Sequence, residues 1–462
     1  MFTRARLSGP VSRLFFGITV AGTVAGSVPA VFAQASAEVA WPGFRGPDAQ
    51  GYVEDADLPT EWDIDTGKNV RWRTNLPVLA HSSPVIAGDR IFVTTAIRSF
   101  GNPELRVGLY GGIASVSDEG PHEFRVMCFD AKTGEQLWDE LAIEAVPAIK
   151  RHTKGSHAAS SPATNGTHVV ALFASEGLYC YSADGELQWK RDLGLLDSGY
   201  FMVKDAQWGF SSSPIIHGDR VIVQVDIQDG SYLAALDLET GADLWRTPRE
   251  EVPGWGTPTV VEHAGKKMIV CNGWKEIAAY DYDSGERIWK TQGGGDIPVP
   301  TPIVAGERVY ITNAHGRLAP ILAIELDAEG TFELSSESEQ IAWMHERRGN
   351  YMQTPIIIGD RIYLCSDSGV VAAYDLDTGE NAFRGRLGSG RMGFTASPVG
   401  AGGHIYYTSE TGEIHVVRAG VDELEIIGIH SVGSEAMATP AIAGDTIFWR
   451  TRNELIAIGG DG

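Results

Sequence analysis

A Ser-Pro or Thr-Pro dipeptide returns eight times along the 462 residues, at Pro84, Pro162, Pro214, Pro258, Pro302, Pro355, Pro398 and Pro440. Length alone would suggest several domains, but repeated units bury their apolar faces only against one another and so share one core. A glycine falls four residues after the proline in seven copies (Gly88, Gly166, Gly218, Gly306, Gly359, Gly402, Gly444); in the copy beginning at Pro258 it is Gly265. Glycine supplies the positive φ that a tight hairpin needs. Each turn leads into a strand such as Ile91-Phe92-Val93 or Val309-Tyr310-Ile311, of the residue types that pack a pleated surface. A third strand ends in a turn of the form Asp-x-x-Thr-Gly-Glu, begun by Asp130, Asp237, Asp281 and Asp375. An aromatic then closes the unit: Trp138, Trp189, Trp245, Trp289, Trp343 or Phe383, with a weaker apolar stretch at Val416-Val417 after Pro398.

Four short strands per period of forty-odd residues is the signature of a propeller blade. The reading is therefore all-β: an eight-bladed β-propeller of four-stranded antiparallel blades. The last copy holds only three strands, ending at Leu455-Ile456-Ala457-Ile458, whereas Val70-Arg71-Trp72-Arg73 precedes the first Ser-Pro without a blade of its own. This N-terminal strand is expected to complete the C-terminal blade, near Ile447, which closes the ring and removes its exposed edges. The expected organisation is a signal peptide over 1–33, an N-terminal arm over 34–69 and the propeller over 70–460.

Arg4, Arg6 and Arg13, an apolar run from Leu14 to Val28 and Val31-Phe32-Ala33 read as a cleavable secretory signal, so the protein is expected in the periplasm or outside the cell. An uncleaved N-terminal anchor is the other reading. No cysteine precedes Cys128, so lipidation at a leader cysteine is not expected, nor is an integral membrane segment after cleavage. The net charge of −23 would become more acidic on losing those arginines, which argues against nucleic acid and anionic membrane as partners. Cys128 with Cys180, and Cys271 with Cys365, occupy equivalent positions on different blades, beyond disulfide reach, and all four are expected to be buried free thiols. No Cys-x-x-Cys-His occurs for covalent haem, and no Gly-x-Ser-x-Gly, His-Glu-x-x-His, phosphate loop or EF-hand loop is present.

Ser/Thr-Pro at the start of a unit and Asp-x-x-Thr-Gly-Glu-x-x-Trp at its end resemble the repeat of the pyrroloquinoline quinone (PQQ) enzyme-like propellers, over Val70 to Ile458. That superfamily contains quinoprotein alcohol and glucose dehydrogenases and cofactor-free BamB-type scaffolds of outer-membrane protein assembly. The leading Trp41-Pro42-Gly43-Phe44-Arg45-Gly46-Pro47 also resembles exported PQQ-like repeat proteins of planctomycetes. Resemblance to the dehydrogenases would imply adjacent cysteines against the quinone, calcium held by a carboxylate and an amide, and an aspartate base. No two cysteines adjoin here, and Glu176, Asn272 and Asp296 are more simply loop and turn residues.

In a propeller the loop entering each innermost strand opens at one mouth of the central channel. Those loops carry His81, Lys154, His157, Trp208, Trp255, Pro298, Pro300, Tyr351, Met352, Arg391, Phe394 and Met437. Of these, Lys154, His157, Trp208, Trp255, Tyr351 and Arg391 are the candidate ligand-binding set. The two indoles could stack on a planar ring, with packing between blades as the alternative. His152 and His157 lack a third partner, so no metal site is expected. Insertions at Ile97 to Glu123 and Asp192 to Gln207 could form a lid or a flap, and the arm from Trp41 to Trp62 could lie on the surface or plug the channel. The expected role is an exported non-catalytic scaffold, monomeric and without cofactor, that binds a protein or carbohydrate partner through its loop face. The second reading is a PQQ-dependent oxidoreductase for alcohols or sugars, which would need PQQ and calcium.

Overall fold

The computed structural model describes residues 12, 14, 38–77, 79–109 and 112–460. The expected signal peptide lies outside the described residues except for Ser12 and Leu14. The chain divides into residues 1–36 and 37–462, and the second unit carries the fold. No helix among the described residues is long and apolar enough to cross a membrane.

Eight four-stranded antiparallel sheets form the ring. Blade 1 runs Val85–Ala87, Arg90–Arg98, His122–Asp130 and Gln136–Ala145 from the channel outward; blade 2 runs from Ala163–Thr164 to Leu187–Arg191, blade 4 from Thr259–His263 to Arg287–Thr291 and blade 5 from Ile303–Ala305 to Ile341–His345. Blade 8 takes Ala441–Ala443, Thr446–Arg450 and Glu454–Gly459 from the C-terminus and Val70–Asn75 from the N-terminus. Trp72 pairs with Ala457, not with Ile447: the last C-terminal strand lies between, its Ile458 facing Val70 on one side and Ile447 on the other. In blade 7 the outer strand is Ile426–Ser431, and Val416 and Val417 belong to the third strand, Glu413–Arg418. That unit lacks the aromatic and the compact acidic turn, so its fourth strand begins later than the spacing suggested.

Both repeat motifs have a mechanical reason. Asp130 accepts hydrogen bonds at Oδ1 from the Lys132 and Thr133 amides and the Thr133 hydroxyl, which winds the turn so that Gly134 adopts φ 73°. The Trp72 ring from the preceding blade lies flat on this glycine: an added Cβ would stand 2.5 Å from Cε3. The Trp72 indole N–H donates to Ala131 O at 3.0 Å. The same arrangement sets Trp138 on Gly185, Trp189 on Gly241, Trp245 on Gly285 and Trp343 on Gly379. Where blade 5 lacks the turn, the Trp289 N–H is buried without a partner, and Gly330–Phe332 instead adds a parallel fifth strand to blade 4. Tryptophan, glycine and aspartate together form the joint between blades.

The Ser/Thr-Pro dipeptides make a second joint around the channel. The Ser83 amide donates to the Ser161 hydroxyl, Ser161 to Ser213 and Ser213 to Thr257; Thr301 donates to Thr354, Thr354 to Ser397 and Ser397 to Thr439. At Ser161, Ser213, Thr257, Thr354, Ser397 and Thr439 a short side-chain hydroxyl reaches the neighbouring amide, whereas the Thr301 hydroxyl is buried without a partner.

The arm threads this ring. Trp41 bridges to Ile86, the Thr164 amide donates to Pro42 O, and Tyr52–Val53 pairs in parallel with Gly400 and Ala401. Arg45 is fully buried without a carboxylate, and its guanidinium donates to the carbonyls of Ala49, Gln50, Pro355 and Pro398. The segment thus spans several innermost strands, with Phe44 as the floor of the channel cavity. All four cysteines are buried and unpaired; burial pushes the thiols of Cys128, Cys180 and Cys271 up to about 12.

Candidate binding site at the lidded channel mouth

In a blade of four antiparallel strands, the loop entering strand one and the loop joining strands two and three lie at the same end. Two sets of loops therefore meet at the mouth. Above Phe44 an inner cavity of about 210 Å³ is ringed by Ser83, Ser161, Ser213, Thr257, Thr354, Ser397 and Thr439. It continues outward through His152, Lys154, Trp208 and Met352 into a wider space of about 660 Å³.

Lys154, Trp208 and Trp255 line the inner cavity, and Lys154, Trp208 and Tyr351 the outer one. His81, Met352 and Met437 also face the inner cavity. Arg391 is exposed and lines neither. His157 stands behind the wall: its Nε2 lies 3.2 Å from Asp118, and its ring meets His122 edge-on at 5.1 Å. The displacement has a simple cause. Ser156 and Ala158 are tied to His81 through the Ser156 hydroxyl and the Ala158 carbonyl, so the side chain between them is turned away from the channel.

Rings and one ion pair build the mouth. Tyr200 stacks on Trp208 at 5.7 Å and 6°, and Trp208 meets Trp255 at 5.7 Å. His315 joins Tyr200 to Tyr351 at 5.9 Å on either side. Across from them the Lys154 ammonium donates to Glu410 Oε1 at 2.6 Å, linking blades 2 and 7; Glu410 also accepts from the Gly108 amide and the Thr395 hydroxyl. Asp296 accepts from His315 Nδ1 and Tyr200. Burial, then the charges of Asp367 and Asp296, push the Tyr351 hydroxyl up to about 12.

The first insertion is the lid, and its hairpin begins later than the sequence implied: Ile97 still pairs with Glu123 and Arg98 with His122, leaving residues 99–109 and 112–121 to cross the mouth. Ser115–Val116 pairs with Arg151–His152, Trp208 donates to Ile113 O, and Arg452 donates to Pro103 O. Asp118 anchors it. Arg151 contacts both Asp118 oxygens at 2.5 and 3.3 Å, and Arg98 stands 3.8 Å away. Burial alone would raise this carboxyl, but hydrogen bonds from His157 and Arg151 hold it well below the usual carboxylate range. Burial lowers His122 to about 4 and His157 below its ordinary value. Asp118, His122 and His157 offer ligand atoms within 4.8 Å of one another, yet the guanidinium already occupies the carboxylate a cation would need.

Among the described residues, the three calcium candidates that the sequence offers are each committed to other contacts. Glu176 accepts from the Ala148 amide, Asn272 donates to Pro300 O and exchanges hydrogen bonds with Asn313, and Asp296 is held by His315. Lys154, the cation of the cavity wall, is already neutralised by Glu410, which leaves a tricarboxylate quinone uncompensated.

Glu410, Asp118, Asp367, His315 and Tyr200 are residues sequence reasoning missed. Four lie in loops between strands two and three, which open onto the same mouth as the Ser/Thr-Pro loops by the antiparallel order alone; Tyr200 lies in the second insertion.

The family profile described as "Outer membrane protein assembly factor BamB" matches residues 122–385, more than half of the chain. The chain belongs to this PQQ-like, BamB-like propeller family. The BamB of Alkalilimnicola ehrlichii is 25% identical over 217 residues, covering 45% of this chain and 51% of that one, so the match spans about half the length of this relative. The BamB of Burkholderia pseudomallei is 22% identical over 408 residues, 86% of each chain. Among solved structures, the quinohemoprotein alcohol dehydrogenase of Comamonas testosteroni superposes with a TM-score of 0.59 at 12% identity, over 91% of this chain and 81% of that one. That similarity concerns the propeller fold.

Proposed function

We propose that this BamB-like propeller is an exported, non-catalytic scaffold whose lidded face holds a protein partner in the cell envelope. The observation that carries the reading is the apolar surface of the two insertions: Met202 is 66% exposed, Leu195 60% and Ile113 48%, on loops that frame the mouth. Apolar side chains gathered on one functional face are where protein partners dock. Family membership supports an assembly role, since the relatives named above are outer membrane protein assembly factors. The sequence leader supports export. The dehydrogenase reading has the shared fold behind it, while Glu176, Asn272 and Asp296 are each engaged in other contacts.

A photo-crosslinker placed at Met202 should capture an envelope protein, whereas one at Glu239, on a hairpin turn at the opposite end of its blade, should not. Equal capture at both positions would remove the lidded face from its role. Dye reduction by the purified protein with PQQ, calcium and an alcohol or sugar would replace the scaffold by an enzyme.

A further inference from the structure

We propose that the channel mouth receives an organic cation, a substituted ammonium or guanidinium group, between the aromatic belt and the carboxylate of Asp367. The inference deepens the proposed function and rests on its reading of the lidded face as the working face.

The belt is continuous: Trp255, Trp208, Tyr200, His315 and Tyr351 follow one another with centroid spacings of 5.7, 5.7, 5.9 and 5.9 Å. Its indole donors are spent, Trp208 Nε1 on Ile113 O at 3.2 Å and Trp255 Nε1 on Gly209 O at 2.8 Å. What the indoles offer a ligand is therefore the electron-rich ring, which attracts cations.

The charges select the same class. Lys154 is taken by Glu410 at 2.6 Å, so this pair contributes no net charge to the wall. Asp367 lines the outer cavity, and among the described residues its carboxylate makes no ion pair or hydrogen bond. It sits in the turn Ser366-Asp367-Ser368-Gly369, where the Ser366 hydroxyl meets Ser368 and the Val370 amide; the turn is held without it. Arg317, Arg386 and Arg391 do not line the cavity, though Arg386 donates to Ser368 O at 2.9 Å in the same turn. Burial chiefly, and after it the charges of Asp367 and Asp296, raises the Tyr351 hydroxyl beside this wall. An anion would face this carboxylate uncompensated, and a neutral sugar would leave it desolvated and unpaired. A cation ringed by methyl or methylene groups meets both walls, and the net charge of −23 favours its approach. The cavity of about 660 Å³ has room for such a group whether it arrives free or on a partner's side chain.

The test titrates the full chain with choline and its neutral isostere 3,3-dimethylbutan-1-ol, and with the peptide Gly-Gly-Arg-Gly-Gly and its citrulline counterpart, by calorimetry. At least one cationic probe should bind about tenfold more tightly than its neutral counterpart, and Asp367→Asn should erase most of that preference. Tyr351→Leu, read beside it, should weaken the same cation while melting curves confirm folding. Preference for choline identifies a free small molecule; preference for the arginine peptide identifies a partner's side chain. Equal binding of cation and isostere, a preference unchanged in Asp367→Asn, or no heat from any probe at millimolar concentration overturns the inference. Capture at Met202 that persists in Asp367→Asn would leave the scaffold standing without it, whereas loss of capture in the wild type would remove the scaffold itself.

Discussion

Gly134 shows how much a single position carries. Its φ of 73° and the Trp72 ring 2.5 Å from any added Cβ mean that Gly134→Ala would strain the backbone and push the tryptophan off its seat. The two costs together should lower the unfolding free energy by ~3 kcal/mol, read from urea denaturation. A titration tests the lid anchor. His122 is lowered from 6.5 to about 4, chiefly by burial and then by His157. The unfolded chain takes up that proton first as acid is added, so the stability it contributes is full above pH 6.5 and is lost toward pH 4. Glu251 runs the other way: burial and Asp226 raise it from 4.5 to about 7, so its contribution fades as pH rises across that span. The expected observation is therefore a difference. His122→Asn should flatten the acid-side loss relative to the wild type, and parallel pH curves for the two proteins would show that His122 is not the group responsible.

The elements were legible in the sequence wherever one residue type had one local task. Ser/Thr-Pro marks the innermost strand because a short hydroxyl there accepts from the preceding blade's amide, and the aspartate turn shows because its glycine must lie under a tryptophan. Legibility failed where the task was done from elsewhere in the chain. Nothing in Val416-Val417 signals that blade 7 closes with Ile426–Ser431, and nothing next to His157 signals that its partner is Asp118, supplied by the lid. The mouth was half-read for the same reason: Lys154, Trp208, Trp255 and Tyr351 enter on the Ser/Thr-Pro loops, whereas Glu410 and Asp367 arrive on the other set. Asp118 is the hinge between lid and blade. Asp118→Asn leaves Arg151, 1% exposed, without its counter-charge and should destabilise the protein by about 3 kcal/mol. Limited proteolysis should cut within 99–121 sooner than in the wild type while the blades resist; an unchanged cleavage rate would mean that the lid is held by its backbone pairing alone.

A ring is only as stable as its last joint, and here that joint is made by residues far apart in the chain. Val70–Asn75 gives blade 8 its outer strand, and through Trp72 it also supplies the wedge that docks on blade 1. The arm before it does different work: Arg45 ties four carbonyls across the channel, and Phe44 floors the cavity. Two truncations separate the roles. A chain beginning at residue 70 keeps the closing strand and loses the plug. It should remain a folded ring with a lower melting temperature and a channel open at its floor, seen as faster hydrogen exchange at the Ser/Thr amides of the inner belt. A chain beginning at residue 76 loses both, and the exposed edge of Glu454–Gly459 then offers unpaired backbone to another copy. It should associate or aggregate, and adding a peptide spanning Val70–Asn75 in trans should restore part of the cooperative melt. Equal behaviour of the two truncations would assign ring closure to the interlocked hydroxyl belt and the blade cores, with the borrowed strand reduced to a cover for the last edge.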